Sequence, residues 1–219
     1  MKLLLTLFNN DKKNNSVLLF CVIYCCFLLL VRAKITNSIY LFFLVRNLIL
    51  AAIPYLLIIY LKNYLVRQQN KIYTIILLSG WLLFLPNSFY IITDLIHITK
   101  SAETMRWLDL IIVSSFAIIG FIMGLLSLLK FENLIGRLLS PDKIQILIPL
   151  ISFLCGIGIY LGRVQRYNSW DIISNPIKLT MGVLAIVTSS ELLLFSFNFG
   201  LFIYIFHQIC KYLFVNKHL

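Results

Sequence analysis

The fold class that this sequence predicts is all-α, a six-span transmembrane helical bundle, and three observations predict it. Of 219 residues, 61% are hydrophobic and only 12% are charged, where a soluble domain carries about 25% charged residues. Mean hydropathy is +0.95, so the solvent of most side chains is lipid. The apolar residues gather into six runs, each near the roughly 20 residues a helix needs to cross a bilayer. They lie near residues 16–31, 38–61, 72–96, 108–129, 144–161 and 179–206. Only helices or closed barrels satisfy their own backbone groups in lipid. These runs are too long and too uniformly apolar for barrel strands, which alternate. The whole chain, 1–219, therefore reads as one transmembrane domain.

The first run is short and is expected to tilt little or to thin the bilayer locally. The residues before it, "MKLLLTLFNNDKKNN", hold a small apolar patch with no small-residue cleavage site, so no removable signal peptide is expected. The second run contains Arg46, Asn47 and Pro54. It is kept whole because either half would be too short to span. In the third, Pro86 lacks a backbone donor and is expected to kink the helix, letting Asn87 reach freed backbone groups. The fourth and fifth carry "GFIMG" at Gly120–Gly124 and "GIYLG" at Gly158–Gly162. Glycines four apart allow close helix packing, here expected within the monomer rather than across a dimer. The sixth contains Glu191. The connections are short, the longest near 99–107 and 162–178, and hold no soluble domain.

The formal net charge of +11 does not indicate nucleic acid, because the basic residues form no stripe and no binding motif. They fall in the gaps between apolar runs. Six spans put both termini on one side, together with Lys2, Lys12, Lys13, Lys62, Arg67, Lys71, Lys130, Arg137, Lys143, Lys211 and Lys217. The opposite side has Arg32, Lys34, Lys100, Arg106, Arg163, Arg166 and Lys178. Eleven against seven orients both termini to the cytoplasm of a cell membrane by the positive-inside rule. The five cysteines, Cys21, Cys25, Cys26, Cys155 and Cys210, form no CxxC pair and read as small buried hydrophobes.

The chemistry-bearing residues converge. At 100° per residue, Asn87, Tyr90, Asp94 and His97 share an arc of about 80°, with Thr93 beside it. Such a stripe avoids lipid and faces the bundle interior or a water-filled vestibule. After the fifth run come Arg163, Arg166, Asn168, Ser169, Trp170 and Asp171. By span counting these share a side with the end of the third run, with Glu103, Arg106 and with Asp109. Arg46 and Glu191 are expected deeper, as intramembrane charges that pair with each other or with the stripe. The expected result is a polar funnel opening on the face away from the termini.

Each residue has a structural alternative. Ion pairs among Arg46, Glu191, Asp94, Arg163 and Arg166 also serve to hold helices in register. Asp94 and His97, spaced i, i+3, suit an acid–base pair or a shared metal. The second histidine is missing, since His207 and His218 fall toward the other side, and no metal set is assigned. Arg163 and Arg166 suit a phosphate or lipid headgroup, or equally a salt bridge to Asp171 or Asp109. Trp107 and Trp170 suit an interfacial belt.

"LPNSFYIITDLIH", Leu85 to His97, resembles the Pro-Asn-x-x-Tyr-x-x-Thr-Asp-x-x-His signature of a bacterial integral-membrane family catalogued as domain of unknown function 1361. The segment from Tyr160 to Asp171 resembles the same family's Tyr-x-Gly-Arg-x-x-Arg-x-Asn-Ser-Trp-Asp signature. "VRNLILAAIP", Val45 to Pro54, and "WLDL", Trp107 to Leu110, are similar to two further stretches. The resemblance covers roughly residues 35–205 and carries no established activity. The sequence reading is thus a multi-pass membrane protein whose outer-face pocket binds or modifies an anionic lipid or lipid-linked substrate. In that pocket Asp94, His97 and Asp109 are the candidate catalytic groups. Arg163, Arg166, Asn168, Ser169, Asp171, Asn87, Tyr90 and Thr93 would hold the substrate. A transporter or channel component, and a scaffold or assembly partner without a site, are the alternatives. No cofactor and no oligomeric state follow from the sequence.

Overall fold

A computed structural model describes residues 12–67, 70–100, 105–136, 138–167, 174–186 and 188–214. Among these residues seven α-helices follow one another: α1 (Lys12–Thr36), α2 (Phe43–Arg67), α3 (Lys71–Tyr90), α4 (Arg106–Ile135), α5 (Pro141–Arg163), α6 (Pro176–Ile186) and α7 (Ser190–Phe214). A 3₁₀ helix spans Ile91–Lys100 and continues α3 without a break. Six of these stretches are long and apolar enough to cross a membrane, from Asn15–Thr36 to Ser190–Leu213. The chain is a multi-pass, all-α membrane protein, as its composition predicts.

Local chemistry sets the helix starts. Asn70 caps α3 by accepting from the backbone N–H groups of Ile72 and Tyr73. Pro141 opens α5, where its missing donor has no intrahelical partner to lose. Two boundaries differ from the sequence expectation. The last span starts at Ser190 instead of near residue 179, and α6 stands apart as a separate helix. The reason is a cap: the Ser189 hydroxyl accepts from Leu192 N–H and its carbonyl from Leu193 N–H. The first helix runs on to Thr36 and takes Arg32 into its last turns.

α4 is the axis of the bundle. It packs against α1, α2, α3, the 3₁₀ helix, α5 and α7, and its apolar window is the most buried of the six, at 61% against 17% for α1. The most extensive pairings are α5 with α7 and α2 with α3. Gly124, Gly158 and Gly162 face α3, and Gly120 faces Ile91 of the 3₁₀ helix and Ala51 of α2. A Cβ on Gly124 would come within 2.8 Å of Phe89 and Ser88, and one on Gly158 within 2.6 Å of Pro86. The small-residue stripes therefore seat α4 and α5 on the far half of α3, inside the monomer. Buried side-chain bonds add register. Trp81 donates to Ser127 Oγ at 2.8 Å and stacks on Phe131, and Ser88 donates to the Ala51 carbonyl at 2.7 Å.

The change from α to 3₁₀ at Ile91 alters which residues share a face. At three residues per turn, positions i and i+3 eclipse. Ile91 and Asp94 are both buried, in a segment packed on α4. Asn87 stays in the α-helical part and donates to the Phe84 carbonyl, 3.1 Å away.

Replacing Gly158 with alanine should push α5 off the Pro86 ring. The expected loss is about 1–3 kcal/mol, read as a lower unfolding midpoint in detergent, whereas Gly80→Ala, whose added Cβ meets only Leu57 Cδ1 at 3.9 Å, should leave the midpoint unchanged.

Candidate functional site

Successive spans run in opposite directions. The C-terminal ends of α1, α3 and α5 and the N-terminal ends of α2, α4 and α7 thus share the face away from Lys12 and Phe214, called here the distal face. Two buried carboxylates organise it. Asp94, 1% exposed, accepts from Asn47 Nδ2 at 2.7 Å and from Arg163 Nη1 at 3.4 Å. The Arg163 guanidinium also donates to the Thr93 carbonyl at 2.8 Å and to the Tyr90 hydroxyl at 3.3 Å. It lies 5.7 Å from the Tyr90 ring centre, within cation–π range. Thr93 Oγ1 donates to the Tyr90 carbonyl at 2.6 Å. One arginine thus joins α5 to the end of α3, and Asn47 brings in α2.

The second carboxylate is Asp109, also 1% exposed. Arg32 grips it with Nε at 2.9 Å and Nη2 at 3.2 Å, a bidentate pair, and its Nη1 donates to the Ser38 carbonyl at 3.1 Å. This pair ties α1 to α4. A buried charge is tolerated when it is paired and hydrogen-bonded, and both carboxylates meet that condition.

Most of the sequence-predicted residues can now be placed. Asn47, Tyr90, Thr93, Asp94 and Arg163 meet in one cluster, while Asp109 belongs to the other. Asn87 lies half-buried in α3, one turn before Tyr90, and Trp107 is exposed at the distal end of α4. Arg166 is exposed and has φ 60°. It lies in the left-handed region two residues past the Val164 C-cap of α5, a backbone conformation that suits glycine, and the next N–H, of Tyr167, closes back to the Leu161 carbonyl at 3.0 Å. Asn168, Ser169, Trp170 and Asp171 lie outside the described residues, as does the side chain of His97. Among the described residues no three of His, Cys, Asp and Glu gather as a metal set.

The expected pairing of Arg46 with Glu191 does not occur among the described residues, and both side chains are exposed. Glu191 is the second residue of α7, at the membrane boundary and not at mid-depth. Arg46 lies across α2 from its buried stripe of Leu44, Leu48 and Ala51.

Two features escaped sequence reading. Arg32 looked like a loop residue because the hydropathy of the first run ends at Val31. Its partner is 77 positions away. On the opposite face, Glu132 of α4 takes Lys211 Nζ at 2.6 Å and stands 3.1 Å from His207 Nε2 of α7, off the hydrogen-bond axis. Glu132 lies just past the fourth apolar run, beside Lys130, so hydropathy left it in a loop, and Lys211 is 79 positions away.

Fold and site define a multi-pass α-helical membrane protein with two buried carboxylates, each paired with an arginine, under one face. A family model described as protein of unknown function (DUF1361) matches residues 46–206, and the chain belongs to that family. No curated protein and no solved structure matches it.

Removing one partner of the Arg32–Asp109 pair should be far worse than removing both. Asp109→Leu leaves a buried guanidinium unpaired and should cost about 3–5 kcal/mol, and Arg32→Met with Asp109→Leu should recover most of it. Denaturation of the two variants in detergent checks this.

Proposed function

We propose that this membrane protein binds an anionic, membrane-associated molecule at its distal face, a phospholipid headgroup or a lipid-linked precursor, with Arg166 as the anion-contacting side chain. The charge balance supports the reading. Asp94 neutralises Arg163 and Asp109 neutralises Arg32, so neither guanidinium is left to attract an anion. Arg166 is exposed and has no ion pair among the described residues.

The observation that carries the reading is the backbone of Arg166. Left-handed geometry disfavours a residue with a Cβ and suits glycine. An arginine there is a local conflict that stability does not explain, and such conflicts concentrate at functional positions. Arg163 then acts as a positioning residue, holding the end of α5 against Tyr90 and Thr93. Asn168, Ser169 and Asp171, next in the chain, complete the site in this proposal. Asp94 favours binding over modification. To act as a base it would have to release Arg163 or Asn47. With the termini in the cytoplasm, the distal face is the outer face of the cell membrane.

Arg166→Gly separates this role from a structural one by sign. The variant should melt at the same temperature or higher, because glycine suits the left-handed position. It should also lose the preference of the purified protein for phosphatidylglycerol over phosphatidylcholine in mixed micelles, read by native mass spectrometry of retained lipid. A preference that survives in Arg166→Gly refutes the proposal.

A further inference from the structure

A second feature, separate from the arginine site, lies on α7. A cavity of about 610 Å³, open on one side, is lined by Glu191, Leu194, Phe195, Asn198, Phe199 and Phe202 of α7, with Ile92 of the 3₁₀ helix opposite. Its volume falls in the range of small-molecule sites, about 300–1,000 Å³.

The lining is polar at one end and apolar along its length. Glu191 is exposed at the distal end, near the Tyr160 hydroxyl of α5. Asn198 turns its amide back onto the Leu194 carbonyl at 2.7 Å, which engages one of its two N–H groups. A first-turn acid suits the helix dipole, but the dipole does not require it to border a cavity or to face a tyrosine hydroxyl.

Length selects the occupant. Glu191 and Phe202 are eleven residues apart, about 16 Å at 1.5 Å per residue. One leaflet of hydrocarbon is about 15 Å, half of a core of about 30 Å. The groove therefore runs from headgroup level to the midplane. A partner helix would need contact across the whole core and small residues at the seam, whereas this groove stops halfway and is walled by phenylalanines.

We infer that the groove holds one phospholipid, its acyl chain along Leu194, Phe199 and Phe202 and an amine-bearing headgroup at the Glu191 carboxylate. A primary ammonium donates hydrogen bonds to a carboxylate, and a quaternary one has no N–H to donate. The selected class is thus the ethanolamine type of headgroup. This site uses a carboxylate on α7, where the proposed anion site uses Arg166 beyond α5.

The test compares phosphatidylethanolamine with phosphatidylcholine of identical acyl chains, two lipids of equal net charge. The full-length protein in detergent is mixed with both, and retained lipid is identified by native mass spectrometry. The wild type should retain one phosphatidylethanolamine with a preference of about tenfold. Glu191→Gln should abolish that preference while leaving any phosphatidylglycerol selectivity intact. Leu194→Trp, which fills the exposed groove, should lose both lipids without lowering the melting temperature. The inference is overturned by equal retention of the two lipids in the wild type, by a preference that survives in Glu191→Gln, by lipid retained in Leu194→Trp, or by a protein dimer in place of bound lipid.

Discussion

A carboxylate inside a bilayer can accept hydrogen bonds only from its own protein, and the distal half of this molecule is arranged around that constraint. Asp94 and Asp109 are each almost fully buried, and each is matched by one guanidinium. Removing either guanidinium would leave a buried carboxylate without its neutralising partner. The two pairs therefore set which helix ends meet. Arg163 brings α5 to the end of α3, and Arg32 brings α1 to α4. The central position of α4 follows in part, since it carries Asp109 and packs the segment that carries Asp94.

The glycine stripes and the ion pairs depend on one another. Gly124 and Gly158 let α4 and α5 approach the far half of α3. That approach brings Arg163, one turn beyond Gly158, within reach of Tyr90, Thr93 and Asp94. Dispersion between close backbones supplies the adhesion that the hydrophobic effect cannot supply between helices in lipid. The polar bonds then select one register. The opposite half of the bundle repeats the scheme with Glu132, Lys211 and His207, joining α4 to α7.

Neutralisation of the buried pairs also shapes the outer surface. With Arg32 and Arg163 engaged, the charges open to solvent or lipid near the distal face include Arg166 after α5 and Glu191 on α7. They are of opposite sign and on different helices. The two ligand chemistries proposed above, an anion near the end of α5 and an ammonium headgroup at the mouth of the α7 groove, rest on that difference in sign.

Hydropathy alone determined the fold class and the number of spans, because the cost of exposing backbone to lipid is paid within each segment and is legible over a window of about 20 residues. The stripe from Tyr90 to Asp94 was legible for the same local reason, since polar groups in an apolar run must face inward. The glycine spacing of α4 and α5 was visible too. Partners were not. Arg32 and Asp109 are 77 positions apart, and nothing local marks either as the other's match. The 3₁₀ turn at Ile91 changed the angular step that assigns faces, and the Ser189 cap moved Glu191 from mid-membrane to its edge. Those outcomes depend on how helices dock and where each ends. Docking and termination are decided by contacts between segments and by single caps, which average hydropathy does not register.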